Sequence, residues 1–166
     1  MHTLDVDVAI IGAGTAGMTA YRGALAHTRR VVVIEGGPYG TTCARVGCMP
    51  SKLLIAAAEA AHTITHAARF GVHGGDLVVD GAAVMDRVRR ERDRFVGFVV
   101  EAVQAWPAEH RLQGHARFVD DHTLDVGGHT RVVAERIVIA TGSRPAVAES
   151  WRRELGDRLI VNDDVF

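Results

Sequence analysis

The sequence predicts an α/β chain built on a parallel sheet, and three observations predict it. Val6 to Ile11 (VDVAII) and Val31 to Ile34 (VVVI) are short, nearly continuous apolar runs, as expected of parallel strands buried on both faces. A glycine cluster and a helix-length segment lie between them, the alternation of a strand–helix–strand unit. Later, Ala116–Val119, Thr123–Val126 and Arg131–Val133 are strand-like pieces joined by Asp120-Asp121-His122 and Gly127-Gly128, which predicts an antiparallel β-meander over about 111–133. The 166 residues suffice to bury a core; 48% are apolar and 23% charged, ordinary for a globular chain.

Taken in order, the first strand runs straight into Gly12-Ala13-Gly14-Thr15-Ala16-Gly17, and a helix is expected from Met18 to Ala26. The second strand ends in Glu35, 18 residues beyond Gly17, close to the ~20 of the dinucleotide fingerprint. Each part has a physical task. Gly12 allows a tight turn, Gly14 lets the backbone approach a pyrophosphate, and Gly17 lets helix and strand pack closely. The helix N-terminus offers free N–H groups to phosphates, and Glu35 can accept hydrogen bonds from a ribose diol. The plain alternative is a glycine-rich turn that holds no ligand.

A turn-rich stretch, Gly36 to Thr42 (GGPYGTT), leads to Cys43 and Cys48, the only cysteines of the chain. Five residues of regular helix rise about 7.5 Å, whereas a disulfide wants Cα atoms about 4.4–6.8 Å apart. If the two pair, the chain turns or distorts between them, and Gly47 permits that. The alternative is two unrelated buried thiols. Pro50 suits the first turn of a helix, which the alanine-rich run to Arg69 continues. Cys48 then lies at or just before a helix N-terminus, where the dipole favours the thiolate.

A second long helix is expected from about Gly81 to Trp106. Its Asp86–Arg94 portion carries five arginines and three acids, the interleaving of a solvated face. The net charge of −1 gives no footprint of nucleic-acid binding. His62 and His66 stand at i, i+4, but the intervening Thr-Ile-Thr lacks the glutamate of a zinc-protease helix, so both read as surface histidines and no metal is expected. Ile137 to Ala140 is the next parallel strand, running into Thr141-Gly142-Ser143-Arg144-Pro145; beyond it the chain reads as polar and loop-like. With neither a signal peptide nor an apolar run long enough to span a bilayer, the expected compartment is the cytoplasm, with no membrane partner.

An N-terminal Gly-x-Gly-x-x-Gly unit followed, soon after the acidic residue, by Cys-x-x-x-x-Cys-x-Pro-x-Lys resembles the pyridine nucleotide–disulfide oxidoreductases. The resemblance covers the whole chain and implies an FAD-binding Rossmann-like domain over 1–150, with a redox-disulfide helix over 43–69. It places a linker over 151–166, towards an NAD domain outside the sequence. By that resemblance Cys43 is the interchange thiol, and Cys48 is the thiol next to the flavin that forms its charge-transfer complex when reduced. Lys52 matches the lysine close to the flavin ring. Gly36, Gly40, Thr41 and Thr42 fall where the family contacts pyrophosphate and ribose. The Gly114-His115-Ala116 backbone matches the adenine contact, and Thr141, Gly142 and Ser143 match a second FAD motif.

Pro50-Ser51-Lys52 is similar to the lipoamide and mercuric members. GGPYGTTC is longer than the usual Gly-Gly-Thr-Cys, and Ala44-Arg45 replaces a typical apolar-Asn pair. The resemblance further implies that the intact enzyme uses NAD, is a homodimer and acts on a disulfide or dithiol, foremost a lipoyl group on a carrier domain. A mercuric or other disulfide reductase is the alternative, and a non-catalytic redox-sensing module the alternative of another class. Relative to the family the sequence reads as an N-terminal piece, which on its own is expected to lack turnover and to self-associate through exposed apolar surface.

Overall fold

The computed structural model describes residues 2–166. The chain divides into two compact units, one of residues 2–42 with 97–144 and one of residues 43–96 with 145–166.

The first unit opens with β1 (His2–Ile11), whose apolar end delivers the chain into the glycine turn. Helix α1 (Thr15–Leu25) follows, starting three residues before the expected Met18. Then comes β2 (Val31–Glu35), parallel to β1 with Ile11 opposite Ile34. Val31, Val32, Val33 and Ile34 are all essentially inaccessible to solvent. That two-sided burial is why the run is continuously apolar rather than alternating.

Two segments differ from expectation. Arg111–Gln113 does not open the meander: it is a short strand, β3, parallel to β2 at the sheet edge. Nor do Arg131–Val133 and Ile137–Ala140 form separate strands, because Thr130–Ile139 is one strand, β6. β4 (Ala116–Asp120) and β5 (Thr123–Val126) pair antiparallel with each other, and β5 pairs antiparallel with β6. β6 in turn pairs parallel with β1 from His2 opposite Thr130 to Ile11 opposite Ile139. The six strands form one sheet in the order β3-β2-β1-β6-β5-β4. The polar Glu135-Arg136 pair interrupts the apolar pattern without interrupting the backbone, since neither residue is a turn former.

The two faces of this sheet carry separate cores. On one, Val32 and Ile34 of β2, Val6 and Ala9 of β1, Val132 and Ala134 of β6 and Leu124 and Val126 of β5 form one continuous cluster across four neighbouring strands. On the other, Tyr21 of α1 packs with Ile10, Ala13, Val31 and Val33. Tyr21 stacks at 4.1 Å on Trp106, and its hydroxyl lies 2.7 Å from Nδ1 of the buried His110.

The second unit carries α3 (Cys48–His66), which extends from Cys48 as expected but passes into a 3-10 turn over Ala67–Phe70. Most of α4 (Gly81–Gln104) also belongs to it. Short α2 (Thr42–Val46) precedes α3. On α4 the ion pairs Asp86–Arg89 (3.9 Å) and Glu91–Arg94 (3.5 Å) span one turn, as the charge interleaving implies. Where a polar loop was expected beyond Pro145, Glu149–Leu155 forms a short helix, α5, its first turn carrying Glu149 and its last Arg152 and Arg153. No helix among the described residues is long and apolar enough to cross a membrane.

Candidate functional site

The glycine turn between β1 and α1 is fixed by close backbone approaches. Gly12, at φ +108°, would place a Cβ 2.3 Å from the carbonyl oxygen of Ala140, and a Cβ on Gly17 would sit 1.8 Å from that of Gly12. Only hydrogen fits at either position. Gly14 is different: a Cβ there would meet nothing within 4 Å. Gly14 is also the N-cap of α1, in extended conformation, with no side-chain cap and no acidic residue in the first turn. The turn therefore presents open space in front of an uncapped helix N-terminus, where backbone N–H groups and the dipole favour an anion. Thr15 and Ala16, on that first turn, are exposed.

Glu35 closes the turn from β2. One carboxylate oxygen accepts from the Ala13 N–H at 2.8 Å, the other from the Gly37 N–H at 2.8 Å. Each oxygen keeps a further lone pair for a hydroxyl group. Gly114, at φ +146°, donates its N–H to the Glu35 carbonyl at 2.9 Å, bringing the 114–116 backbone beside Glu35 and Gly36. The His115 ring packs on Gly36, where a Cβ would come within 2.3 Å of Nδ1. Thr141, Gly142 and Ser143 leave the end of β6 exposed, with the Thr141 nitrogen 3.3 Å from the Cβ position of Gly12. The sheet thus gathers Gly12–Gly17, Glu35, Gly36, His115, Ala116 and Thr141 at the C-terminal ends of parallel strands, where open α/β sheets bind ligands.

Two residues here were not anticipated. Tyr39, in the lengthened GGPYGTT loop, packs at the rim of the α1 core, and burial pushes its phenol pKa up against a smaller opposing effect of Arg111. The Arg111 Nε is buried with no hydrogen-bond partner. The loop's extra length was the only signal for Tyr39, and nothing in the sequence marked Arg111. Gly40 is buried, while Thr41 is half-buried and Thr42, which begins α2, is exposed.

In the second unit, Cys43 lies on α2 and Cys48 is the first residue of α3. The chain breaks between them at Gly47 (φ −123°, ψ −115°), the distortion that pairing requires. Both are free thiols, Cys43 half-buried and Cys48 exposed. They meet: a hydrogen bond to Cys48 is the main reason the Cys43 thiol pKa is raised, with burial second. A bond donated by the thiol stabilises its neutral form. Pro50 is buried in the first turn of α3, and Lys52 reaches solvent. The structure brings together two thiols able to exchange with a disulfide and, among the described residues, no cluster of three metal-ligating side chains.

The family model described as pyridine nucleotide-disulphide oxidoreductase matches residues 6–153. A dihydrolipoyl dehydrogenase of Mycoplasma pneumoniae is 32% identical over 143 residues, covering 86% of this chain and 31% of that protein. A mercuric reductase of Streptomyces lividans is 38% identical over 156 residues, covering 87% of this chain and 31% of that one. The solved Cu(II) complex of RclA, an HOCl-induced flavoprotein disulfide reductase of Escherichia coli, matches with a TM-score of 0.62 at 28% identity, covering 87% of this chain and 30% of its own. The chain spans less than a third of the length of each.

Proposed function

The chain belongs to the pyridine nucleotide-disulphide oxidoreductase family, and from that premise we propose that it is the FAD-binding and dithiol-bearing part of a disulfide oxidoreductase. The observation that carries the reading is the thiol pair: two free cysteines on separate helices, set apart by the break at Gly47, with Cys48 the main influence on the Cys43 thiol. The glycine turn supports the cofactor. Open space before an uncapped helix suits a pyrophosphate, and Glu35 suits a ribose diol.

In this reading Gly12, Ala13, Gly14, Thr15, Ala16 and Gly17 hold the pyrophosphate, with Gly40, Thr41 and Thr42 completing that wall. Glu35 and Gly36 take the ribose, and His115 with Ala116 the adenine. Thr141, Gly142 and Ser143 complete the flavin side. Bound FAD supplies a two-electron relay between the dithiol and a nicotinamide. Cys43 and Cys48 do the exchange. In the oxidising direction a substrate thiolate attacks one sulfur of the Cys43–Cys48 disulfide and releases the other cysteine. The substrate's second thiolate then displaces the first cysteine, leaving a substrate disulfide and a reduced pair.

The finer reading is a dihydrolipoyl dehydrogenase using NAD, a homodimer acting in the cytoplasm on a lipoyl carrier; Pro50-Ser51-Lys52 and the Mycoplasma relative support it. The 38% identity to a mercuric reductase supports a second reading, in which the same pair delivers electrons to a thiol-bound metal ion. A trapping experiment separates these from a non-catalytic module. Cys48→Ser chain is incubated with lipoamide or with glutathione disulfide and analysed by mass spectrometry. A mixed disulfide on Cys43, formed faster with lipoamide, is expected. No adduct with either disulfide would remove the catalytic role of Cys43.

A further inference from the structure

We propose that His62 and His66, near the C-terminal end of α3, form a surface chelate for a divalent transition-metal ion of the imidazole-preferring class. The two rings lie 3.9 Å apart, centroid to centroid, tilted by 32°, and both residues are exposed. Their i, i+4 spacing stacks them on one face of the helix, the arrangement by which helical histidine pairs share a metal. One nitrogen is already committed. Nδ1 of His66 lies 2.9 Å from the His62 carbonyl oxygen, which can only accept, so the proton sits on Nδ1 and the lone pair on Nε2. The Thr65 hydroxyl, 3.0 Å from the same Nδ1 and 2.9 Å from the same carbonyl, steadies that ring. Such an outer hydrogen bond is what orients a ligating imidazole and fixes its tautomer.

The carbonyl-anchored ring therefore keeps its Nε2 lone pair free of that bond, beside its stacked neighbour. No third protein ligand converges there among the described residues, so water completes the coordination and the site opens to solvent. Imidazole donors with water suit Ni(II), Cu(II) and Zn(II), not the oxygen-seeking Mg(II) or Ca(II). Cys48 lies at the other end of the helix, on the order of 20 Å away by the helical rise, so the chelate is separate from the thiol pair. The inference replaces the reading of these histidines as plain surface residues. It does not depend on the proposed redox function.

The test is titration calorimetry of the untagged chain with Ni(II), which binds imidazole without oxidising thiols. The expected result is one saturable site whose affinity falls by an order of magnitude or more in His62→Ala and in His66→Ala, and is unchanged in Cys43→Ser/Cys48→Ser. Alanine is the better helix former, so both histidine variants keep α3, as far-ultraviolet circular dichroism will verify. Cu(II) bound to the Cys43→Ser/Cys48→Ser chain should show two equivalent nitrogens by electron paramagnetic resonance. Absence of a saturable site, undiminished binding in the His62→Ala/His66→Ala chain, or loss of binding with the thiols would each overturn the proposal.

Discussion

At the scale of the residue, the glycine turn separates what folding requires from what a ligand requires. A methyl group on Gly17 would sit 1.8 Å from a backbone oxygen, so Gly17→Ala should cost on the order of 1–3 kcal/mol or more in urea denaturation. Gly14→Ala meets nothing within 4 Å and keeps an allowed backbone conformation, so the same measurement should show near-native stability. Its methyl group instead occupies the open space, and FAD affinity should drop by tenfold or more. The thiols make a second prediction. The hydrogen bond to Cys48 raises the Cys43 pKa by stabilising the neutral thiol, so Cys48→Ala, which removes it, should lower that pKa. The pH profile of Cys43 alkylation by iodoacetamide should move to lower pH in that variant; an upward shift would contradict the assignment.

At the scale of the element, stability rests on contacts between strands far apart in sequence. Leu124 is fully buried in the cluster that joins β5 to β6, β1 and β2, so Leu124→Ala should cost about 2–5 kcal/mol in the same assay. Tyr21→Phe removes the partner of His110 and should cost about 1–3 kcal/mol, more than removal of a typical surface hydroxyl, because the imidazole stays buried. These contacts also mark the limit of what the sequence discloses. β1, β2 and α1 were legible because local signals specify them: continuous apolar runs bounded by glycine. The extent of β6 was not. Its Glu135-Arg136 step is polar, and only pairing with β1 and β5, both distant in sequence, keeps it extended. β3 is three residues long, too short for any period to show, and its place is set by the neighbouring Glu35. The same holds for the site. The glycines and cysteines announce themselves by type and spacing. That Glu35 holds both Ala13 and Gly37, and that Cys48 acts on the Cys43 thiol, depends on backbone geometry that spacing only permits.

At the scale of the whole molecule, large apolar side chains remain in solvent. Phe70, at the end of the 3-10 turn, and Val72, Val78 and Val79, in the irregular stretch that follows it, are each more than half exposed. Apolar exposure of this kind favours association, and light scattering of the purified chain should show species larger than 17.8 kDa. The proposed function requires that the chain bind FAD and that its thiol pair exchange electrons with the flavin. The direct measurement is an absorbance titration of the chain with FAD, followed by partial reduction with dithionite, on wild type and on Cys48→Ser. The prediction is saturable flavin binding and a long-wavelength band on partial reduction that disappears in the variant. A chain that binds no FAD, or whose band survives in Cys48→Ser, would contradict it.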